Sequence, residues 1–252
     1  MARQTGIIKL RGTLGGITFY RTSQDGDLAR EKGGVDATRI ATDPAFARTR
    51  ENGAEFGRAG AAGKLLRKAL RNLLQNAADR RVTSRLTQEM VKVVKADATS
   101  ERGLRNVLDG ELELLTGFEF NINGKLSTTL FAAYVATLDR VTGEAKVTIP
   151  AFTPTLGIAA PAGATHFKIN IAAAAIDFEL GTIESLTDST DVEELSNVAL
   201  AAQDLSVNLP VNSTHPLFLA LGIEFFQEVN GQNYSLRNGA YNGLALVKIL
   251  GV

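Results

Sequence analysis

Apolar residues recur at spacings of three and four along 64–78, at Leu65, Leu66, Ala69, Leu70, Leu73, Leu74 and Ala77. Arg67, Lys68 and Arg71 fall on the opposite face, so the stretch predicts an amphipathic helix. A second such pattern over Arg81–Lys95 lines up Val82, Leu86, Met90, Val93 and Val94. Asp43-Pro44 supplies an N-cap and a first-turn proline for an earlier helix carrying Phe46, Gly53 and Phe56. Gly57, Gly60 and Gly63 then predict a flexible or tightly packed joint, and Thr99 or Ser100 caps a shorter helix running through Leu104, Val107 and Leu108. Residues 43–110 thus read as three or four helices in a hairpin-like bundle.

The period changes near Gly117. Phe118–Ile122 alternates and meets Asn123-Gly124, a strong hairpin signal. Thr129–Asp139 and Ala145–Ile149 flank a turn at Val141–Glu144. His166–Ile176, Leu205–Leu209, Leu217–Glu228, Tyr234–Leu236 and Ala240–Ile249 read as further strands, with a turn at Asn230-Gly231. Thr182–Ala202 is polar and acidic and reads as a surface excursion or an edge hairpin. Seven or eight strands without intervening helices predict an antiparallel β-sandwich of immunoglobulin-like architecture, although the Cys/Trp signature is missing. Gly6–Gly34 predicts a β-hairpin or small meander from Ile7-Ile8-Lys9-Leu10 and Ile17-Thr18-Phe19-Tyr20, with turns at Gly15-Gly16 and Gln24-Asp25-Gly26-Asp27. It has too few apolar side chains for a closed core and must lean on something else. The expected class is α+β: an N-terminal β-arm (1–42), a basic helical bundle (43–116) and an acidic β-sandwich (117–252).

The chain has 252 residues, 44% hydrophobic and 21% charged, ordinary for a globular protein. Cysteine is absent, which excludes disulfides and thiolate sites. No run approaches the ~20 apolar residues of a membrane span. None near the start has signal-peptide length, so cytoplasmic synthesis is expected, with any release occurring inside an assembled particle. Charge changes the picture most. Residues 1–110 hold 21 basic and 12 acidic residues, a net +9; residues 111–252 hold 6 and 15, a net −9. That polarity speaks to partners: nucleic acid, or the acidic half of a neighbouring copy.

Candidate chemistry is thin. Gly57–Leu65 resembles a phosphate loop, but Leu65 stands at the hydroxyl position and no strand precedes it. Gly12-Thr13-Leu14-Gly15-Gly16 lacks the helix that a dinucleotide loop opens and reads as a hairpin turn. His166 and His215 are too few for most metal or triad chemistry, and Ser213 has no nucleophile-elbow context. Asp188, Asp191, Glu193 and Glu194 form an acidic cluster that reads as a solvated loop, with a calcium loop as the alternative. Arg58, Lys64, Arg67, Lys68, Arg71, Arg80, Arg81, Arg85, Lys92 and Lys95 could hold phosphates, yet almost no aromatic residue lies among them for base stacking. No catalytic, cofactor-binding or metal-ligating residue is expected, nor a small-molecule substrate. A carbohydrate-binding reading fits poorly with no Trp and 4 Tyr.

Thr5–Tyr20 (TGIIKLRGTLGGITFY), Leu28–Val35 (LAREKGGV) and Asp43–Gly53 (DPAFARTRENG) carry a resemblance. The sequence resembles the opening of a family of uncharacterised proteins from Bacteroidota. The resemblance is specific over the first hundred residues and looser beyond. It implies a structural, phage-like role and carries over no activity and no site residue. The expectation is a non-enzymatic subunit that self-assembles into a filament, tube or phage-like particle; the alternative is a nucleic-acid-binding module using the basic helices. The exchanged arm would be Ile7, Ile8, Leu10, Ile17, Phe19 and Tyr20, with Arg67, Arg71 and Arg81 facing Asp188, Asp191, Glu193 and Glu194 of a neighbour.

Overall fold

The computed structural model describes residues 2–23, 25–31, 33–77 and 79–252. The turn expected at Gln24 and the helix end expected at Ala78 therefore lie outside the described residues. The chain is α+β with a β-rich C-terminal part, and it divides into two compact units, 1–50 and 51–252.

In the first unit, β1 (Ala2–Arg3), β2 (Gly12–Leu14), β3 (Ile17–Thr22) and β4 (Gly26–Glu31) form an antiparallel sheet in the order β1-β4-β3-β2. Gly15 has φ +57° at the turn between β2 and β3, a conformation glycine adopts without strain. The register pairs Leu14 with Ile17 and Phe19 with Ala29, so these side chains share one face. Tyr20 pairs with Leu28 on the other face, where the Arg30 guanidinium lies 5.4 Å from the Tyr20 ring.

The apolar run Ile7–Leu10, expected as a strand, is not one. The Gln4 side-chain amide donates to the carbonyls of Leu10 (3.2 Å) and Leu28 (3.1 Å), and its oxygen accepts from the Leu10 N–H at 2.8 Å. Residues 5–9 are thereby closed into a loop. The unit ends with α1 (Ala37–Thr42), capped by the Asp36 carboxylate accepting from the Thr38 N–H, and one 3-10 turn (Pro44–Phe46) that Asp43 caps in the same way.

α2 (Ala47–Ala69) is continuous through Gly57, Gly60 and Gly63, so of the two expected forms of the joint the flexible break is absent and the tight packing is met at Gly63. Gly63 is buried, and a Cβ there would stand 3.6 Å from Leu86, which lets α2 and the later helix come close. α3 (Arg71–Leu74) is one turn, and α4 (Val82–Ala96) matches its predicted span. The third predicted helix is a loop. The Asp97 carboxylate accepts from the N–H groups of Thr99, Ser100 and Asn106, and so closes the chain on itself before a helix can start.

After α5 (Leu126–Thr129) come β5 (Val135–Leu138), β6 (Glu144–Ile149), α6 (Pro154–Gly157), β7 (His166–Ile176), β8 (Ile183–Ser189), β9 (Glu193–Glu194), β10 (Gln203–Asn208), β11 (Leu217–Val229), β12 (Gln232–Ser235) and β13 (Gly243–Leu250). β10, β6 and β5 form one antiparallel sheet. In the larger sheet β11 pairs with β7 on one side and with β12 and β13 on the other; β7 also carries β8 and β9. The excursion read over 182–202 is thus mostly an edge of this sheet. Asn230 and Gly231 both have positive φ in the tight β11–β12 turn.

No hairpin forms at Asn123-Gly124. The preceding residues 117–120 lie along β13, with the Phe120 N–H donating to the Leu244 carbonyl at 2.8 Å. Gly124 packs on backbone instead: a Cβ there would meet the Tyr241 carbonyl at 2.2 Å.

Alternation along β7 and β11 feeds two cores. Ala172, Ala174, Ile176, Phe218 and Ala220 pack with Leu66, Leu70, Leu86, Met90 and Val93 of the helical segment. Ile169, Ile171, Leu219, Leu221 and Phe225 pack with Ala145, Val147, Ile149 and Leu205 of the smaller sheet. The larger sheet is therefore covered on both faces. The helices read as a hairpin-like bundle thus also pack on the sheet: neither long helix buries its apolar face only against the other. Helices and sheet share one core across the 116/117 boundary.

Candidate assembly surfaces

Leu28 is the one buried apolar side chain among the described residues of the first unit, and neither core includes a residue from that unit. Ile7 is fully exposed on the tip of the Gln4-closed loop, with Ile8 beside it at 80%; Leu10, Leu14 and Ile17 are exposed as well, while Phe19 and Tyr20 are half-buried. The six apolar arm residues are thus gathered on one small sheet and its loop. The loop presents Ile7 and Ile8 as a knuckle rather than as a strand.

The basic residues do not form one continuous face. Arg71 and Arg81 are exposed and make no ion pair among the described residues, whereas Arg67 is half-buried with a buried Nε that has no hydrogen-bond partner. Arg85 serves the fold: it meets the Asp79 carboxylate at 2.5 Å and donates to the carbonyls of Glu119 (2.7 Å) and Phe120 (3.2 Å), with its guanidinium 5.2 Å from the Phe118 ring. Arg58 donates to the carbonyls of Gly103 and Arg105 (2.6 Å to the latter), and the buried Glu55 carboxylate accepts from the Gly103 N–H at 2.8 Å. These bonds hold the loop that carries Arg102 and Arg105 against α2.

The acidic cluster splits. Both carboxylate oxygens of Asp188 accept backbone N–H bonds, from Ser189 (2.8 Å) and Ser206 (2.9 Å), so Asp188 ties β8 to β10 rather than reaching outward. Asp191 and Glu194 are exposed and Glu193 half-buried; their carboxylates make no hydrogen bond or ion pair among the described residues. Among the described residues no three His, Asp or Glu side chains are grouped as a metal ion would need.

Ser213, His215 and Asp177 line one pocket of about 250 Å³. The Ser213 hydroxyl accepts from the His215 backbone N–H, and Asp177 Oδ1 accepts from the Glu179 and Leu180 N–H groups. Those bonds orient the groups toward backbone rather than into a proton relay. His166 is tied to the Thr165 hydroxyl (2.9 Å) and lies 3.5 Å from Glu228. Gly57–Leu65 lies in the middle of α2, where its N–H groups serve the helix and cannot cradle a phosphate. Among the described residues no helix is long and apolar enough to cross a membrane.

Two polar nodes escaped the sequence reading. Asp79 accepts from the N–H groups of Arg81 (2.6 Å) and Ile122 (3.0 Å) and from Arg85; burial raises its pKa, but these donors prevail and hold it below the ordinary carboxyl range. Arg140 donates to the carbonyls of Ser213, His215, Leu250 and Gly251, and so clamps the C-terminal strand. Asp79 stands shortly before α4, where an acidic residue favours a helix start. Arg140 offered none, because its partners are backbone groups brought together by folding.

No protein-family model matches this chain, and no curated protein matches it. A solved structure described as "pH-induced modulation of Streptococcus parasanguinis adhesion by Fap1 fimbriae" aligns with 10% identity over 45% of this chain and 78% of its own, at a TM-score of 0.23. At that score the likeness carries no argument about fold or function.

Proposed function

We propose that this chain is a non-enzymatic structural subunit that self-assembles into a homopolymer such as a filament, tube or phage-like particle, with the N-terminal sheet as its joint. The observation that carries this reading is the bareness of that sheet: among its described residues Leu28 alone is a buried apolar side chain, while Ile7, Ile8, Leu14 and Ile17 are exposed. A small sheet gains independent stability from a covered apolar face, and contiguous exposed apolar side chains mark interaction sites. The short outer strands β1 and β2 also leave backbone groups open to pairing with another chain. A second copy is the favoured cover because the chain carries its own charge complement, +9 in residues 1–110 and −9 in 111–252. The two facing C-terminal sheets are read as a sandwich of immunoglobulin-like character that spaces these surfaces. Joining identical subunits through two different surfaces yields rings or open helices.

The test is sedimentation and electron microscopy of the nuclease-treated full chain beside an Ile7→Asp/Ile8→Asp/Ile17→Asp variant. The wild type is expected to form regular polymers, and the variant to remain monomeric with the same circular dichroism. A wild type that stays monomeric, or a variant that polymerises equally well, overturns the reading.

A further inference from the structure

α2 and α4 enclose a groove of about 770 Å³ lined by Phe56, Gly60, Arg80, Thr83, Thr87 and Val91. A second hollow of about 420 Å³ shares Phe56 and Val91 with it and adds Asn52, Lys95, Arg102 and Arg105. Together they make one furrow along the helix pair. One lining position has no side chain: a Cβ on Gly60 would have no atom within 4 Å. Glycine inside a helix is unfavourable relative to alanine, so an open Gly60 brings the lone subunit no advantage. What it provides is room beside Phe56, which is 61% exposed.

The furrow is also electropositive. Arg80, Lys95 and Arg105 make no ion pair among the described residues, and Arg105 Nε is buried without a hydrogen-bond partner. Arg102 is shared with Glu51 at 3.6 Å and Asn52 at 3.0 Å. The one carboxylate in the lining, Glu55, is buried and accepts from the Gly103 N–H. Hydroxyls and an aromatic ring thus lie between cations, with Arg80 near the start of α4 and Lys95 near its end.

The chain carries a matching surface elsewhere. Of the nearby carboxylates, Asp177 before β8 and Asp188 within it are engaged by backbone N–H groups. Asp191, Glu193 and Glu194 are not, and Val192 stands between them with 37% of its surface exposed. We propose that the furrow is the acceptor for Asp191–Glu194 of a second copy. The carboxylates meet Arg80, Lys95 and Arg105, and Val192 rests on Phe56 and Val91. This rests on the assembly reading above and names its second surface. A single-stranded nucleic acid would suit the same cations, but the furrow offers it one exposed ring, and the chain's own acidic half is the complement at hand.

The test uses the full chain throughout. Gly60→Leu fills the furrow at a point with open space and keeps the fold, which circular dichroism verifies. Sedimentation at low salt is expected to show assembly weakened at least tenfold. Arg80→Glu/Lys95→Glu and Asp191→Lys/Glu194→Lys are each expected to lose assembly, and the four changes combined to restore it. Should Gly60→Leu assemble like the wild type while the arm variant does not, the furrow proposal fails and the assembly reading stands. Should the combined variant stay dispersed, the pairing fails. If the wild type itself is monomeric, fluorescence anisotropy of a labelled peptide of residues 187–198 on the full chain decides: binding that Gly60→Leu abolishes supports the furrow. No binding overturns it, as does a single-stranded oligonucleotide that binds the furrow where the peptide does not.

Discussion

β3 and β7 are both antiparallel strands of alternating side chains, and they meet opposite fates. Ile17, Phe19 and Tyr20 on β3 end exposed or half-buried, while from Asn170 to Ile176 every residue of β7 is buried. The difference lies in what covers each face. β7 has helices over one side and a second sheet over the other, so even its run of four alanines, 172–175, packs in two directions. β3 has neither. Removing a large apolar side chain from water contributes roughly 1.5–3 kcal/mol. The larger unit collects that gain many times over, and the N-terminal sheet collects it at Leu28. The same local pattern therefore makes a core in one place and an unsatisfied surface in the other.

Substitutions can break or sharpen that contrast. The largest effect is expected from Phe218→Ala, which empties the centre of the first core and should lower stability by about 3–5 kcal/mol in denaturant unfolding. Its counterpart Phe19→Ala should change the same transition by less than about 1 kcal/mol, as near-surface substitutions do; equal losses at the two positions would erase the contrast.

Asp97→Asn comes next, with an expected loss of about 1–3 kcal/mol, because the buried carboxylate closes its loop through backbone donors. Burial pushes the Asp97 carboxyl up, but the Ser100, Asn106 and Thr99 N–H groups outweigh it and hold the group well below the ordinary 3.8. A carboxyl depressed in the folded state stabilises at every pH above its unfolded value and loses that contribution as pH falls toward the folded one. The gap between wild type and Asp97→Asn should therefore narrow below about pH 4, followed by acid-series melting. A gap that widens in acid would reverse the assignment. The smallest effect is a gain. Gly53→Ala fills open space on α2 and should stabilise the helix by about 0.5–1 kcal/mol, seen as a raised unfolding midpoint.

Much of the C-terminal part was legible. β6, β7, β10, β11 and β13 lie where alternation placed them, and α4 spans its predicted residues, because a strand or helix with a steady apolar face announces its own period. Asp43 caps its turn as its place before a proline suggested. The misses share a cause. Ile7–Leu10 has strand-forming residues, but the Gln4 amide competes for its backbone. Asn123-Gly124 has turn chemistry, but residues 117–120 found a better partner in β13. Gly57, Gly60 and Gly63 allowed a flexible joint, yet the helix runs through them and Gly63 serves the close packing instead. The basic residues read as sharing an outer face divide for a similar reason: a helical wheel shows which residues share a side, not that Arg58 and Arg85 fold back onto carbonyls while Arg71 and Arg81 stay exposed.

By itself the sequence determined the elements with strong periodicity, the bareness of the N-terminal segment and the opposite charge of the two halves, since each depends on neighbours along the chain. Only the tertiary structure decided that the helices lie on the larger sheet and share its core, that Arg58, Arg85 and Asp188 serve the fold, and that the Asp191, Glu193 and Glu194 carboxylates make no bond among the described residues. Those outcomes depend on contacts between residues tens to hundreds of positions apart, such as Arg58 with Gly103 and Arg140 with Gly251. No local pattern records them, because backbone donors and acceptors are the same at every position until folding brings particular ones together.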